Sequence, residues 1–149
     1  LPERGNFLDV GCGWGPLAVT MGLESPEANV WAVDVNSRAL DLTARNASLN
    51  EAENVHTLHA EEAPEKLRSQ GITFDVIWSN PPIRIGKNAL HELLKTWLSM
   101  LSANGVAYLV VQKNLGADSL TQWLCQQGFP AEKLASKKGY RIIEVRAHS

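Results

Sequence analysis

Residues that could bind a ligand are concentrated in the stretch from Phe7 to Val19, FLDVGCGWGPLAV. The apolar residues around Asp9 favour a strand, glycines alternate at Gly11, Gly13 and Gly15, and the proline that follows suits the first turn of a helix. Glycines let a bound molecule lie against the main chain, and the free N–H groups of a helix start favour electron-rich groups. An ordinary strand-to-helix turn needs fewer glycines, so the pattern predicts a ligand site.

The spacing of these glycines favours a nucleoside without a pyrophosphate. The dinucleotide fingerprint has glycines at its first, third and sixth places, but here the sixth place is Pro16 and the third glycine comes early, at Gly15. This departure argues against NAD. Asp34 ends the next strand-like run, VWAVD, close to the roughly 20-residue spacing at which a carboxylate meets a pair of ribose hydroxyls.

A second informative stretch runs from Phe74 to Lys87, FDVIWSNPPIRIGK. Its apolar beginning predicts a central fourth strand, and Asn80-Pro81-Pro82 ends that strand because a proline cannot donate to a sheet ladder. In open α/β sheets, ligands bind at the carboxyl edge, beside the point where the strand order reverses. The functional groups are therefore expected at this edge, although Asn-Pro is also a common turn opener.

The elements that must position these residues alternate between strand and helix, which is typical of a parallel sheet with crossover helices. Asn36 can cap the second helix. Strand five, 105–113, is expected to be buried enough to need no alternation. Lys137-Lys138-Gly139 predicts a hairpin, so strand seven should run antiparallel to its neighbours. The predicted segments are a first helix over roughly 16–23 and strands at 30–34, 55–62, 74–78, 105–113, 131–135 and 140–146.

Composition limits the class of protein. The 149 residues make one domain, and the 44% hydrophobic content supports a packed core. Cys12 and Cys125 offer no metal-ligand spacing or disulfide framework, which suits a reducing cytoplasm. His56 and His59 lack nearby partners of ligand type, so no metal is expected. No apolar run approaches the ~20 residues that cross a bilayer, and no signal segment opens the chain, so a soluble, cytoplasmic protein is predicted.

Charge is distributed unevenly between the two halves of the chain. The net charge is −2. Residues 1–82 carry five Lys or Arg and twelve Asp or Glu, hence −7, whereas residues 83–149 carry nine and four, hence +5. A local positive face can steer a polyanion even when the total charge is negative, which favours a nucleic-acid partner. Uneven surface charge is also common without such a partner.

The first glycine motif and the acid after strand two resemble those of the class I S-adenosylmethionine-dependent methyltransferases, whose motif is D-x-G-x-G-x-G. The resemblance implies an α/β fold, namely a Rossmann-like, seven-stranded, mostly parallel sheet with antiparallel strand seven and helices on both faces. It implies S-adenosylmethionine as the cofactor and an N-terminal segment before this single domain in relatives. The implied cofactor-binding residues are Asp9, Gly11, Cys12, Gly13, Gly15, Asp34, Val35, Asn36, Ala60, Glu61 and Asn80.

Two of these assignments have alternatives. The resemblance puts Asp34 on the two ribose hydroxyls, where an ionised carboxylate can accept both, and the alternative is an exposed aspartate at a strand end. It nominates Glu61, with the backbone of Ala60, for the adenine amino group. Glu61 could equally belong to a solvated helix start, where the helix dipole favours carboxylates.

Asn80-Pro81-Pro82 resembles the fourth motif of amino methyltransferases, which methylate exocyclic amines of adenine or guanine and the amide of glutamine. Such a nitrogen attacks poorly because its lone pair is delocalised. The side-chain oxygen of Asn80 and the main-chain carbonyl of Pro81 can accept its two hydrogens, which directs the lone pair and stabilises the positive charge that grows on nitrogen. Asn80 and Pro81 are the predicted catalytic residues.

The residues after this motif refine the substrate. The residue directly after Asn80-Pro81-Pro82 is Ile83, whereas many adenine and glutamine methyltransferases have an aromatic residue at this place. The continuation resembles the methyltransferase small domain family, which includes ribosomal RNA guanine-N2 methyltransferases. Pro82, Ile83, Arg84 and Lys87 are then the predicted substrate-binding residues, with Arg84 and Lys87 on RNA phosphates. A charged helix start is the alternative for those two cations.

Three functions stay open at this point. The first is methylation of guanine N2 in ribosomal RNA, the second is methylation of protein glutamine in the manner of release-factor enzymes, and the third is RNA binding without catalysis. His91 is expected to be packed or half-exposed rather than catalytic, because it shares helical spacing with apolar residues. Further candidates for contact with the RNA backbone are Lys113, Lys137, Lys138 and Arg141.

Overall fold

The computed structural model describes residues 2–11, 15–81, 86–112, 116–137 and 139–147. Strands and helices alternate along these ranges as the sequence predicts. They are β1 (Asn6–Val10), α1 (Pro16–Glu24), β2 (Asn29–Asp34), α2 (Ser37–Leu49), β3 (Val55–His59), α3 (Ala63–Ser69), β4 (Phe74–Ser79), α4 (Lys87–Leu98), β5 (Leu101–Gln112), α5 (Ala117–Gln126), β6 (Ala131–Lys137) and β7 (Tyr140–Arg146).

The strands form one sheet in the order β3-β2-β1-β4-β5-β7-β6. The pairs β1–β2, β2–β3, β1–β4 and β4–β5 are parallel, whereas β7 is antiparallel to both β5 and β6. The predicted seven-stranded, mostly parallel sheet with antiparallel strand seven is therefore confirmed. Chain order reverses between β1 and β4, and a ligand crevice is expected at the carboxyl ends of these two strands.

Both faces of the sheet are covered by helices, as predicted. On one face, β1 and β4 contribute Leu8 and Ile77 to a core with Leu94 of α4 and Leu124 of α5. On the other face, Phe7 lies in a cluster with Ala18 and Met21 of α1 and with apolar residues of β2 and β4. Adjacent residues of β1 thus point to opposite faces, which fixes the position of the residues that follow the strand.

Strand five departs from its prediction in two respects. β5 begins at Leu101 rather than at residue 105, because Leu101 pairs with Phe74 before a register shift in β4. Its burial also alternates instead of being continuous. Ala107 and Leu109 lie in the core with α4 and α5, whereas Tyr108 is half-buried on the opposite face and contacts Trp78, with ring centroids 5.5 Å apart.

Candidate active site at the carboxyl edge of the sheet

The glycine turn after β1 lies beside the asparagine that follows β4. Val10 pairs with Ser79 in parallel register, so the next residues of the two strands, Gly11 and Asn80, emerge side by side. A Cβ placed on Gly11 would stand 3.9 Å from the carbonyl oxygen of Asn80. Gly11 has φ of 80° and donates its N–H to the carbonyl of Val33 at 2.8 Å, which ties the turn to β2 as well. A positive φ here favours glycine.

Gly15 controls how closely the first helix approaches the second. It precedes Pro16 with φ of 93° and accepts the N–H of Val19 at 3.0 Å. A Cβ at Gly15 would lie 2.7 Å from both Cγ2 and Oγ1 of the buried Thr43 in α2. Gly15 therefore satisfies a steric requirement as well as a conformational one. Cys12 and Gly13, the other predicted residues of this turn, lie outside the described residues.

The acid at the end of β2 is held by the start of α2. The main-chain N–H of Asn36 donates to Oδ1 of Asp34 at 2.9 Å. The side-chain oxygen of Asn36 accepts the N–H groups of Arg38 and Ala39 at 2.9 and 3.3 Å, which confirms the predicted helix cap. Between them, the side chain of Val35 is 72% exposed. A carboxylate and an open apolar surface thus lie next to each other at this edge.

The end of β3 completes the row of strand ends. The N–H of Ala60 donates to the carbonyl of Asp34 at 2.9 Å, and the N–H of Glu61 reaches Nδ1 of His59 at 3.2 Å. Glu61 is exposed in the turn that precedes α3. The structure therefore brings Ala60 and Glu61 to the side of Asp34, while the described part of α3 begins at Ala63.

Asp9 gives this edge an unusual electrostatic character. Its side chain is 4% exposed, and Oδ2 has no hydrogen-bond partner among the described residues. Burial, followed by the negative charge of Asp34, raises the pKa of Asp9 to about 7, although a hydrogen bond from the main chain of Ala18 lowers it. A cation or a hydrogen-bond donor would relieve both the desolvation and the repulsion.

These residues fit the expected cofactor. A nucleoside with a positively charged substituent would meet two carboxylates, Asp9 and Asp34, and a backbone opened by Gly11 and Gly15. The apolar side chain of Val35 offers a surface for a base. The fit rests on the two glycines with positive φ and on the buried Oδ2 of Asp9, which has no hydrogen-bond partner in the described part of the chain.

On the substrate side, Asn80 is exposed and Pro81 is buried directly after β4. Pro82, Ile83 and Arg84 lie outside the described residues. Lys87 is the first residue of α4, preceded by Gly86 with φ of 101°, and its side chain is exposed. Lys87 is thus a short distance along the chain from Asn80, but it belongs to the helix rather than to the strand end.

The additional RNA-contact candidates are only partly described. Arg141 lies in β7 opposite Val111 of β5, and Lys137 ends β6. Lys113 and Lys138 lie outside the described residues. Among the residues the structure does describe, no group of three His, Cys, Asp or Glu could hold a metal ion, and no helix is long and apolar enough to cross a membrane.

Two features of this region were not predicted from sequence. One is Thr43, whose contact with Gly15 depends on how α1 and α2 meet. The other is the partner of His91, which is half-buried as predicted but stacks on Trp123 with ring centroids 3.6 Å apart and 12° between planes. The spacing of four between Lys87, His91 and Lys95 is visible in the sequence, but the stacking on α5 is not.

Comparisons with known proteins agree with this architecture. The family model described as "Methyltransferase small domain" matches residues 1–144. Protein YbxB of Bacillus subtilis (strain 168) is 34% identical over 146 residues, which cover 97% of this chain and 72% of YbxB. Ribosomal RNA small subunit methyltransferase C of Pseudoalteromonas translucida (strain TAC 125) is 32% identical over 104 residues, 66% of this chain and 28% of that protein.

A release factor glutamine methyltransferase of Neisseria gonorrhoeae (strain ATCC 700825 / FA 1090) is 39% identical over 82 residues, 55% of this chain and 29% of that protein. The chain thus spans less than a third of the length of these two longer relatives. Among solved structures, precorrin-6y C5,15-methyltransferase from Geobacter metallireducens GS-15 has a TM-score of 0.78 at 19% identity, covering 99% of this chain and 82% of that one. The structural likeness supports the fold.

Proposed function

This chain belongs to the methyltransferase small domain family of S-adenosylmethionine-dependent enzymes, and from that premise we propose that it methylates an exocyclic amine of RNA, the N2 of guanine in ribosomal RNA. The observation that carries the proposal is the adjacency of Gly11 and Asn80 at the switch between β1 and β4. This adjacency supports a single crevice in which a nucleoside bound at the glycine turn would meet an amine held by Asn80. A ribosomal RNA substrate also implies a cytoplasmic protein that acts in rRNA processing.

Residues at the ends of β1, β2 and β3 would hold the cofactor. When bound, S-adenosylmethionine supplies an electrophilic methyl group on a positively charged sulfur. Asp34 would accept hydrogen bonds from the ribose, and Val35 would lie against the base. The glycines of the turn, which lack side chains, would let the cofactor lie against the main chain. The buried carboxyl of Asp9 would be ionised by a nearby cation, because that cation offsets the repulsion from Asp34. The remaining proposed contacts are Cys12, Gly13, Asn36, Ala60, Glu61 and Asn80.

Asn80 and Pro81 would prepare the acceptor amine. A guanine amino group is a weak nucleophile because its lone pair is shared with the ring. The amide oxygen of Asn80 and the carbonyl of Pro81 would each accept one of its hydrogens, which orients the lone pair and offsets the charge that develops on nitrogen. No general base is needed before transfer.

Three observations support an RNA guanine over other amines. Position 83 is isoleucine, so the aromatic residue found there in many adenine and glutamine enzymes is absent. The half of the chain that follows Pro82 carries a charge of +5, which suits a polyanion. One matched relative is named as a ribosomal RNA small subunit methyltransferase. Pro82 and Ile83 would contact the base, and Arg84 and Lys87 would contact phosphates.

Methylation of protein glutamine is the second candidate, and it is favoured by the 39% identity with a release factor glutamine methyltransferase. The two candidates differ in where a labelled methyl group arrives. The protein is incubated with methyl-labelled S-adenosylmethionine and, in separate reactions, unmodified small-subunit ribosomal RNA, a bacterial release factor or free guanosine. The RNA is then digested and its nucleosides are separated.

We expect labelled N2-methylguanosine from the RNA reaction. Label in the release factor alone would replace the proposal with glutamine methylation. Raised thermal stability with S-adenosylhomocysteine but no transfer to any of the three acceptors would indicate a domain that binds without catalysing this reaction.

A further inference from the structure

Three nitrogen-bearing side chains, Lys87, His91 and Lys95, follow one another along α4 at intervals of four residues. Residues four apart are neighbours on the surface of an α-helix, so the three lie along one side of α4. The row begins at the first residue of the helix, just beyond the segment that follows Asn80-Pro81. At a rise of 1.5 Å per residue it extends for ~12 Å. We refer to these residues as the α4 row.

The middle of the row is held by an aromatic residue of the next helix. The imidazole of His91 stacks on the indole of Trp123 in α5, with ring centroids 3.6 Å apart and 12° between planes. Nζ of Lys95 lies 5.9 Å from the centroid of the same indole, within the range of a cation–π interaction. Lys87 and Lys95 are exposed, and His91 is half-buried. Trp123 therefore positions His91 and lies close to Lys95, while the ammonium groups of Lys87 and Lys95 stay at the surface.

The charges of the α4 row are not neutralised by the described carboxylates. Asp118 pairs with Lys133, and Glu144 pairs with Arg146 at 2.9 Å, but no such ion pair joins Lys87 or Lys95 to a described acid. Glu92, the acid of α4, lies three residues before Lys95, and within the described ranges it forms no ion pair with the row.

The titration of His91 reflects this environment. Burial, then the ammonium groups of Lys87 and Lys95, hold the pKa of His91 below its ordinary value. Repulsion from these ammonium groups thus disfavours the protonated form of His91, and an anion bound along the row would reduce that repulsion.

We propose that the α4 row is a docking track for the RNA backbone, on which Lys87, His91 and Lys95 contact successive phosphates next to the nucleotide presented to Asn80. This inference rests on the proposed RNA substrate. With charges about 3.4 Å apart along the axis of one strand, ~12 Å spans about three to four phosphate intervals, which is long enough for three side chains to reach separate phosphates. Lys87 follows Asn80 and Pro81 closely along the chain, which supports placing the track next to the substrate side of the site.

The test is the salt dependence of RNA binding. Dissociation constants for unmodified small-subunit ribosomal RNA are measured between low and physiological salt for the wild type, Lys95→Gln and the double variant Lys87→Gln/Lys95→Gln. The control is Arg45→Gln, which removes the same charge from an exposed position on α2, a helix that contacts β2 and β3 rather than the α4 side. Melting temperatures check that each variant is folded.

Each phosphate contact that is lost should reduce the slope of log K against log[salt] by about 0.7 to 0.9. We therefore expect a shallower slope for Lys95→Gln, a still shallower one for the double variant, and the wild-type slope for Arg45→Gln. Wild-type slopes for both lysine variants would overturn the track, even if the RNA is methylated. If the wild type methylates the release factor and neither binds nor methylates the RNA, the proposed RNA function itself is wrong, and the track with it.

Discussion

The main chain of Gly11, at the end of β1, lies against the carbonyl of Asn80, at the end of β4, so that a Cβ on the glycine would stand 3.9 Å from that oxygen. The two residues are far apart in sequence, and the parallel register of Val10 with Ser79 makes them neighbours. Since strand order reverses between β1 and β4, both residues border the crevice in which α/β sheets bind ligands. The proposed cofactor and the proposed acceptor amine would meet there.

Gly15→Ala should destabilise the protein more than a positive φ alone explains. The left-handed conformation costs about 1–2 kcal/mol for a residue with a Cβ. At Gly15 the added Cβ would also stand 2.7 Å from two atoms of Thr43, which is buried and can move little. Overpacking of this kind costs a further ~1–3 kcal/mol. The decrease in the free energy of unfolding, measured by urea denaturation, gives the sum of these two costs.

Gly71→Ala provides the matched control for that prediction. Gly71 has φ of 71°, and nothing lies within 4 Å of its added Cβ. Its alanine variant should therefore lose only the conformational part. Equal losses at Gly15 and Gly71 would show that the close approach of α1 to α2 is not needed.

Because folding raises the pKa of Asp9, the free energy of unfolding should decrease as pH rises. Its pKa is about 7 in the folded chain against 3.8 for an ordinary aspartate, because of burial and then Asp34. The folded state therefore binds a proton that the unfolded state has lost, and stability falls as pH rises from about 4 to 7. Relative to Asp9→Asn, the wild type should lose on the order of a few kcal/mol across this range.

Urea unfolding of both proteins at pH 4, 5.5 and 7.5 measures this difference. Asp34→Asn should narrow the pH range over which stability falls, because the charge of Asp34 contributes to the raised pKa of Asp9. Parallel pH profiles for the wild type and Asp9→Asn would mean that the carboxyl is not buried in this way.

Asp34→Asn should weaken binding of S-adenosylhomocysteine by roughly 10-fold or more, since a hydrogen bond to a charged group contributes about 1.5–3 kcal/mol. An asparagine keeps an oxygen that can accept the N–H of Asn36, so the start of α2 should be retained. Calorimetric titration measures the affinity. Asp41→Asn removes the same charge from an exposed site on α2 and should bind as tightly as the wild type. Equal affinities for both variants would remove Asp34 from the cofactor site.

Most of the fold could be predicted from local sequence signals such as helix caps, turn residues and apolar runs. Asn36 caps α2 as predicted, and the hairpin before Tyr140 makes β7 antiparallel. Apolar runs also identify the strands. The start of β5 was missed because its first residue, Leu101, pairs with Phe74 only after a register shift that no local pattern encodes.

The candidate site was predictable where a residue directly follows a strand and not where helices meet. Gly11, Asp34 and Asn80 all follow or end strands, so periodicity and the resemblance locate them. The contact of Gly15 with Thr43 and the stacking of His91 on Trp123 each depend on the packing of two helices. Such packing depends on side chains from distant parts of the sequence.

The most direct test of the central claim is the rate of methyl transfer to small-subunit ribosomal RNA by Asn80→Ala, measured in a single turnover at saturating S-adenosylmethionine. Losing one of two acceptors for the amine should slow transfer on the order of 100-fold. Asn88→Ala, which changes an exposed asparagine in the first turn of α4, should react at the wild-type rate. Transfer by Asn80→Ala as fast as by the wild type would contradict the account.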